Sequence, residues 1–311
     1  MLEKIISAGG YTTRVLEAGS GDPVVLIHGG DFGTSLGAHW WPPELFGSLA
    51  EAGYHAIAMD RLGHGQTDNP RRAEEYRMQT VVDHVIATIE AIEDRPATLV
   101  GWSRGGYIAA RIALERPDLA AGLVLVNSGS LSPTVDVEPR PGDATYEVYV
   151  VAMNDDARNN AEALSVRTEH ITDALVSEDQ RYYSAEKSLI ARRIAADQRP
   201  AYFEAFRADK QDTLARIRAG ESPLPVLIYW GVGDPTTTIA DATSSFELFA
   251  GTASPLRMHV VNNAGHASFR EYPDDFTSEL LRFLRTKNEE SAERSVAVGA
   301  RGQERFAPMD E

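Results

Sequence analysis

The clearest chemical signal in the sequence is a serine flanked by glycines, Ser103 in the segment Gly101 to Gly105 (GWSRG). The apolar run Ala97 to Val100 before it predicts a strand, and the residues after it predict a helix. At such a strand-to-helix turn the glycines leave room for a sharp, strained bend, which exposes the serine hydroxyl. We therefore predict that Ser103 is a catalytic nucleophile.

A serine hydroxyl is inert at neutral pH, so it needs a base to take its proton and an acid to orient that base. His266 follows the predicted strand Met258 to Val261 and is our candidate for the base. Asp234 follows the predicted strand Val226 to Trp230 and is our candidate for the orienting acid, with a turn or N-cap role as its alternative. The order serine, aspartate, histidine along the chain is a known order for such a triad.

A substrate carbonyl that is attacked by a serine develops negative charge, which backbone N–H groups stabilise. We predict that the amides of Gly30 and Arg104 form this oxyanion hole. Gly30 lies in the sequence HGG that starts at His28, just after the predicted strand Val24 to Ile27. Arg104 begins the helix after the serine, where backbone donors and the helix dipole favour an anion. The alternative is that the glycines serve only a tight turn.

Short apolar runs alternate with helical stretches in two parts of the chain, residues 1–130 and 224–286. This alternation predicts an α/β protein with a mostly parallel sheet and helices on both faces. Residues 131–223 lack apolar strand runs and predict an inserted helical cap over the strand ends. Residues 287–311 have no hydrophobic period and predict a flexible C-terminal tail.

The composition excludes several classes of function. The chain has 30 Lys+Arg against 46 Asp+Glu, and its net charge of −16 repels nucleic acid. It has no cysteine, and its histidines and carboxylates lack metal-ligand spacing, so we expect no metal and no other cofactor. No segment approaches the roughly 18 apolar residues of a membrane span, and the N-terminus does not resemble a signal peptide. We expect a cytoplasmic protein, without membrane or nucleic-acid partners, that acts on a small molecule.

Together these motifs resemble the α/β-hydrolase superfamily over about residues 10–286. The resemblance is carried by the segments around His28, Asp60 to Gly65, Ser103 and His266. Within the superfamily, the layout resembles the meta-cleavage-product hydrolases, which split carbon–carbon bonds of ring-opened dienoates, and their ester-cleaving relatives, the monoalkyl phthalate hydrolases. The segment Asn263 to Glu271 is also similar to some acyl-homoserine lactonases. The resemblance implies hydrolysis of a carbonyl compound by the same catalytic parts.

Two positions distinguish this chain from the carbon–carbon hydrolases, which usually have Asn before the nucleophile and Trp after the base. Here Trp102 and Ala267 occupy these positions, which shape the dienoate pocket in that family. Ester cleavage needs only the triad and the oxyanion hole, so we favour a carboxylic ester as substrate, with a dienoate or a lactone as the alternative. The superfamily also includes ligand receptors without activity, but the presence of every catalytic part argues against that function.

Four side chains are candidates for contacts with the substrate. Arg104 either binds a substrate carboxylate through a bidentate pair or pairs with an acid on the helix surface. The resemblance to the carbon–carbon hydrolases assigns Arg181 the same task, with a solvated helix charge as the alternative. Trp102, directly before the nucleophile, is a third candidate, and Phe32 either borders an apolar cleft between cap and sheet or packs in the cap's own core. These residues predict a small ester with an aromatic or apolar body and, if an arginine serves as receptor, a free carboxylate, as in a monoalkyl phthalate.

Overall fold

The structure is a computed structural model that describes residues 1–139, 141, 146 and 156–304, with side chains up to residue 288. The strands of this part of the chain are β1 (Leu2–Ala8), β2 (Tyr11–Ala18), β3 (Asp22–Ile27), β4 (Tyr54–Met59), β5 (Ala97–Trp102), β6 (Ala120–Val126), β7 (Val226–Gly231) and β8 (Leu256–Val261). They form one sheet in the order β1-β2-β4-β3-β5-β6-β7-β8. The β1–β2 and β2–β4 pairs are antiparallel, and all other neighbours are parallel.

The central strands are buried on both faces, as their nearly continuous apolar sequences predict. In β3, Val25 and Ile27 enter the core on one face of the sheet, and Val24 and Leu26 enter the core on the other face. All of these side chains are fully buried. Because the strands around β3 are fixed by packing on both sides, their carboxyl ends form a rigid edge on which a site can be built.

Helices cover both faces of the sheet. They are α1 (Pro43–Glu51), α2 (Met78–Ile92), α3 (Arg104–Glu115), α4 (Ala157–Ala163), α5 (Asp173–Ser184), α6 (Glu186–Arg218), α7 (Ile239–Phe249), α8 (Ser268–Glu271) and α9 (Pro273–Glu304). Helices α2, α3 and α7 pack in the core that contains Val25, whereas α1 and α9 pack in the core that contains Val24. The predicted α/β class, with a mostly parallel sheet between two layers of helices, is confirmed.

Helices α4, α5 and α6 lie between β6 and β7, within the stretch predicted as a cap. Helix α6 docks on the core through Phe206, which has no exposed surface and whose ring centroid lies 4.8 Å from that of Tyr107 in α3. The first part of the predicted cap, residues 140, 142–145 and 147–155, lies outside the described residues. The division into a core and a separate cap at residues 131 and 223 stays a prediction.

The last helix extends beyond the segment with an apolar pattern. The apolar pattern ends near Arg285, but the backbone stays helical to Glu304, into the segment predicted as a flexible tail. Residues 286–304 are rich in Glu, Ala and Arg, which favour a helix without an apolar face to signal it. Flexibility of the segment stays a prediction, and residues 305–311 lie outside the described part of the chain.

The contact between α6 and α3 predicts a large effect of Phe206→Ala on stability. Truncation of this fully buried ring removes its packing on Tyr107 and leaves a cavity, and we expect the free energy of unfolding to fall by about 3–5 kcal/mol. Urea unfolding measures the change. Leu189→Ala on the same helix, where the side chain is 50% exposed, is the control and should change it by less than about 0.5 kcal/mol. Equal effects of the two variants would show that α6 does not dock as described.

Candidate active site

Ser103 occupies the turn between β5 and α3. Its φ of 54° and ψ of −120° lie in a region that non-glycine residues rarely adopt. The turn is held from β6, because the N–H of Ser103 donates to the carbonyl of Val126 at 2.9 Å. The hydroxyl groups of Ser128 and Ser130 donate to the Ser103 carbonyl at 2.7 and 3.0 Å. The strained turn predicted from the sequence is therefore present and is anchored by hydrogen bonds.

The positions around Ser103 require glycine because a Cβ atom there would clash with neighbouring atoms. A Cβ atom on Gly101 would lie 2.3 Å from the carbonyl group of Gly105, and one on Gly105 would lie 2.1 Å from the carbonyl oxygen of Ile27. A Cβ on Gly29 would lie 2.7 Å from the Cβ of Ser103. Any side chain at these positions would push the β5–α3 turn away from β3 and the following loop.

The imidazole of His266 is oriented through its Nδ1 atom. This atom lies 2.8 Å from Oδ2 of Asp234 and 2.9 Å from Oγ1 of Thr236. The Thr236 hydroxyl donates its own proton to Oδ1 of Asp234 at 2.7 Å, so it accepts from Nδ1. Both contacts therefore place a proton on Nδ1, so that in the neutral imidazole Nε2 carries the lone pair that a general base requires.

Asp234 is fully buried among donors. Besides His266 and Thr236, the side chain of Asn127 donates to Oδ2 at 2.7 Å and the hydroxyl of Thr237 donates at 2.8 Å. Burial raises the pKa of Asp234, but the charge of His266 and the hydrogen bonds from His266, Thr236 and Asn127 outweigh burial and hold the pKa below its ordinary value. The aspartate therefore remains a carboxylate at neutral pH.

Ser103 and His266 line the same cavity, which has a volume of about 470 Å³. The described residues include no hydrogen bond between Oγ of Ser103 and the imidazole of His266. Catalytic hydrogen bonds are often long or absent before substrate binds, so the arrangement remains compatible with proton transfer. The structure thus brings Asp234 and His266 into contact and places Ser103 in the same cavity.

The backbone of His266 is fixed on two sides. Its N–H donates to the carbonyl of Leu164, at the end of α4, and its carbonyl accepts from Nε1 of Trp102, both at 2.8 Å. Glu271 adds a third restraint, because its buried carboxylate accepts from the N–H groups of Gly265 and Arg167, each at 2.8 Å. Leu164 and Arg167, which follow α4, therefore help to position His266.

The predicted oxyanion donors lie beside Ser103. Gly30 borders the cavity with a φ of +94°, and Arg104 is the first residue of α3. The guanidinium of Arg61 donates to the carbonyls of Gly29 and Gly30 at 2.6 and 2.7 Å, which turns these carbonyls towards Arg61. In the described part of the chain no acceptor is bonded to the Gly30 amide. An oxyanion role for Gly30 and Arg104 stays a prediction.

The Arg104 side chain borders the cavity but is not available as a simple receptor for an anion. Its guanidinium forms an ion pair with Asp31, with Nη2 2.9 Å from Oδ2, and lies 5.2 Å from the ring centroid of Phe206. Of the two alternatives for Arg104, the structure shows pairing with an acid of the protein. That acid belongs to the loop after β3 rather than to its own helix.

The other three candidates for substrate contacts do not line this cavity. Trp102 is fully buried, and its indole stacks on Trp40 with ring centroids 5.2 Å apart. Phe32 packs on Tyr76 and borders a separate cavity of about 200 Å³. Arg181 is 64% exposed and contacts Glu178. The predicted substrate contacts of these three residues are therefore absent from this cavity, because Trp102 and Phe32 pack in the core and Arg181 is a solvent-exposed helix charge.

Within the described residues, no group of three or more His, Asp or Glu side chains could hold a metal ion. No helix in the same part of the chain is both long and apolar enough to cross a membrane.

The sequence and fold define the family. Residues 22–273 match the model for the alpha/beta hydrolase fold, and the chain belongs to this family of hydrolases. It is 28% identical over 295 residues to a 2-hydroxy-6-oxo-6-(2'-aminophenyl)hexa-2,4-dienoic acid hydrolase of Metapseudomonas resinovorans, which covers 91% of each chain. It is 36% identical over 129 residues to a 2-hydroxymuconate semialdehyde hydrolase of Pseudomonas sp. (strain CF600), covering 41% of this chain and 44% of that one.

Among solved structures, a serine hydrolase involved in carbazole degradation is similar with a TM-score of 0.68 and 27% identity. The match covers 92% of this chain and 99% of the other. These findings confirm the predicted resemblance to the α/β-hydrolase superfamily and its meta-cleavage-product hydrolases.

The buried Asp234 carboxylate predicts a dependence of stability on pH. Because folding lowers its pKa, ionised Asp234 stabilises the fold above the pKa of an unfolded aspartate, about 3.9, and this contribution is lost as the pH falls towards the folded pKa. We expect the free energy of unfolding of the wild type to fall relative to that of Asp234→Asn below about pH 4. Urea unfolding at several pH values measures it.

Asp197→Asn, at an exposed position of α6, is the matched control. The difference in free energy of unfolding between this variant and the wild type should stay constant over the same pH range. A constant difference between the wild type and Asp234→Asn from neutral pH to acid would contradict a lowered pKa at Asp234.

Proposed function

We propose that the protein hydrolyses small carboxylic esters through an acyl-enzyme on Ser103. The observation that carries this proposal is the double contact of Nδ1 of His266 with Asp234 and Thr236, which leaves Nε2 as a base in the cavity of Ser103. A buried carboxylate that orients an imidazole next to a serine on a strained turn is the arrangement of serine hydrolases.

In the proposed first step, Oγ of Ser103 attacks the ester carbonyl and Nε2 of His266 takes the hydroxyl proton. The negative charge on the carbonyl oxygen is stabilised by the amides of Gly30 and Arg104. The C–O bond to the alcohol then breaks, and His266 returns the proton to the leaving oxygen. In the second step, His266 takes a proton from water, which attacks the acyl carbon. The bond to Oγ of Ser103 then breaks, His266 returns the proton to Oγ, and the acid is released.

The cavity supports a substrate with an apolar body. Its volume of about 470 Å³ lies within the range of small-molecule sites. The apolar side chains that border it include Leu36, Trp40, Val135, Val137 and Leu164. An ester of moderate size fits this space, and a lactone, as a cyclic ester, would open by the same steps.

The pairing of Arg104 with Asp31 bears on the choice of ester. A monoester with a free carboxylate, such as a monoalkyl phthalate, needs a cationic receptor, and Arg104 would have to exchange its protein partner for the substrate. Arg181, the other candidate, contacts Glu178 and lies outside the cavity wall. We therefore propose esters without an anionic group in preference to carboxylated monoesters.

Carbon–carbon hydrolysis is the second candidate, and the named relatives favour it. The relative with 28% identity over most of both chains is a dienoic acid hydrolase by name. That reaction adds a ketonisation step and an anionic substrate to the chemistry of ester cleavage. Neither Trp102 nor Ala267 has an exposed surface with which to contact a dienoate. For these reasons we propose carbon–carbon hydrolysis only as the second candidate, after ester hydrolysis.

The test is hydrolysis of uncharged para-nitrophenyl esters, followed by the release of nitrophenol. We expect turnover by the wild type and a loss of kcat by about 10⁵-fold or more in Ser103→Ala, since no other group replaces the nucleophile. A fluorophosphonate probe should label the wild type and Ser184→Ala, whose serine is exposed on α5, but not Ser103→Ala.

Two outcomes would contradict ester hydrolysis. The first is absence of turnover on all esters while a ring-opened dienoate loses its chromophore, which would assign carbon–carbon hydrolysis. The second is probe labelling that persists in Ser103→Ala, which would show that another residue is the nucleophile.

A further inference from the structure

Asp179 of α5 borders the same cavity as Ser103, although only 2% of its side chain is exposed. Its Oδ1 atom accepts hydrogen bonds from Nε2 of His39 at 2.7 Å and from Nε1 of Trp40 at 2.9 Å. Within the part of the chain that the structure describes, no donor is bonded to its Oδ2 atom. A buried carboxylate thus keeps one oxygen as an acceptor for a group inside the cavity.

His39 does not neutralise this carboxylate. Its Nε2 donates to Asp179, while its Nδ1 is buried and has no hydrogen-bond partner among the described residues. A proton on Nδ1 would be a buried donor without an acceptor, which is costly, so the imidazole carries its proton on Nε2 and is neutral. Trp40 is also neutral. Asp179 therefore keeps its negative charge at the cavity wall.

Arg270 supplies a compensating charge from outside the cavity. Its guanidinium donates to the carbonyl groups of His39 and Trp40 and lies 5.6 Å from the ring centroid of Trp40. It does not border the cavity. Its attraction to Asp179 stabilises the buried carboxylate, while its Nη1 atom donates to the backbone. Oδ2 of Asp179 thus stays accessible to a substrate.

The remaining charges of the cavity wall disfavour an anion. Among the described residues of the wall, Arg104 is the only arginine, and its guanidinium is paired with Asp31. In the described part of the wall the carboxylates outnumber Arg104, and this balance favours a cation over a carboxylate, although Arg207 and Arg199 of α6 also pair with Asp136 and Glu138. The carboxylates that border the cavity are Asp31, Asp136, Glu138, Asp179 and Asp241.

We infer that Asp179 determines specificity for esters that carry a protonated amine, with an N–H group of the substrate donating to Oδ2. The inference rests on the proposed ester hydrolysis, because Ser103 must receive the carbonyl while Asp179 receives the amine. An ammonium group gains a charge-assisted hydrogen bond, a methyl group of the same size gains none, and a carboxylate is repelled. We expect kcat/KM for the ammonium ester to exceed that for the methyl analogue by about tenfold or more.

The experiment compares para-nitrophenyl esters of three acids: para-(aminomethyl)benzoic acid, para-ethylbenzoic acid and terephthalic acid with one carboxyl left free. Acetates of the corresponding benzyl alcohols place the same three groups on the alcohol side. In at least one series, the wild type should prefer the ammonium ester and cleave the carboxylate ester most slowly.

Asp179→Asn keeps an oxygen for His39 and Trp40 but removes the charge. It should lose about tenfold in kcat/KM on the ammonium ester and less than about twofold on the ethyl ester.

Two results would overturn the inference: equal kcat/KM of the wild type for ammonium and ethyl esters in both series, or an equal loss on all three esters in Asp179→Asn. The first result needs only the wild type, so the inference stays testable if the variant does not fold.

Calorimetry on Ser103→Ala separates this inference from the proposed function. If the wild type cleaves no ester, ester hydrolysis fails. Tighter binding of the ammonium ester to Ser103→Ala that disappears in the double variant with Asp179→Asn would still support the inference. Equal binding of the three esters to Ser103→Ala would overturn the inference.

Discussion

The hydrogen bond from Nδ1 of His266 to Asp234 is the interaction on which the chemistry of this molecule depends. At 2.8 Å, and supported by Thr236, it fixes the tautomer that makes Nε2 a base. The parallel order of β6, β7 and β8 makes the contact possible, because the loops after these strands start at the same edge of the sheet. Asn127, after β6, and Asp234, after β7, meet there with His266, after β8. Misplacement of any one of these strands would leave the carboxylate buried without its partners.

Ser103, the proposed nucleophile, depends on a different constraint, the close approach of β5, α3 and the loop after β3. Ser103 occupies a backbone conformation that is costly by itself, and the surrounding structure must impose it. The hydrogen bond to Val126 and the contacts at Gly101 and Gly105 do so, because they leave no space for the turn to relax. The buried strands on both sides of β5 provide the rigidity that this strain requires.

Much of this site is encoded locally and could be predicted from the sequence. Strand, turn and helix signals around Ser103 are contiguous, and Asp234 and His266 each directly follow an apolar strand. The partners of these residues carry no such signal. Asn127 and Asp234 are 107 residues apart, and only the sheet order brings them together. A single clue existed for Asn127: it follows the strand at whose end this fold sometimes places its acid.

The direction of side chains was the least predictable feature, because it depends on tertiary packing. Trp102 lies next to Ser103 in the sequence, but its indole points into the core and holds the carbonyl of His266. Arg104 pairs with Asp31, 73 residues away. Asp179 lies 140 residues from His39 and gave no signal within its own helix. Consequently the catalytic residues could be proposed from sequence motifs. The charge of the cavity wall could not, because it depends on tertiary contacts between distant residues.

The most direct test of the central claim is the protonation of His266 in the resting protein, measured by long-range nitrogen–proton correlation NMR near neutral pH. The account predicts that the neutral imidazole carries its proton on Nδ1 and a lone pair on Nε2, and that this tautomer preference is lost in Asp234→Asn. An imidazole with its proton on Nε2 in the wild type would contradict the account, because such a group could not accept the proton of Ser103.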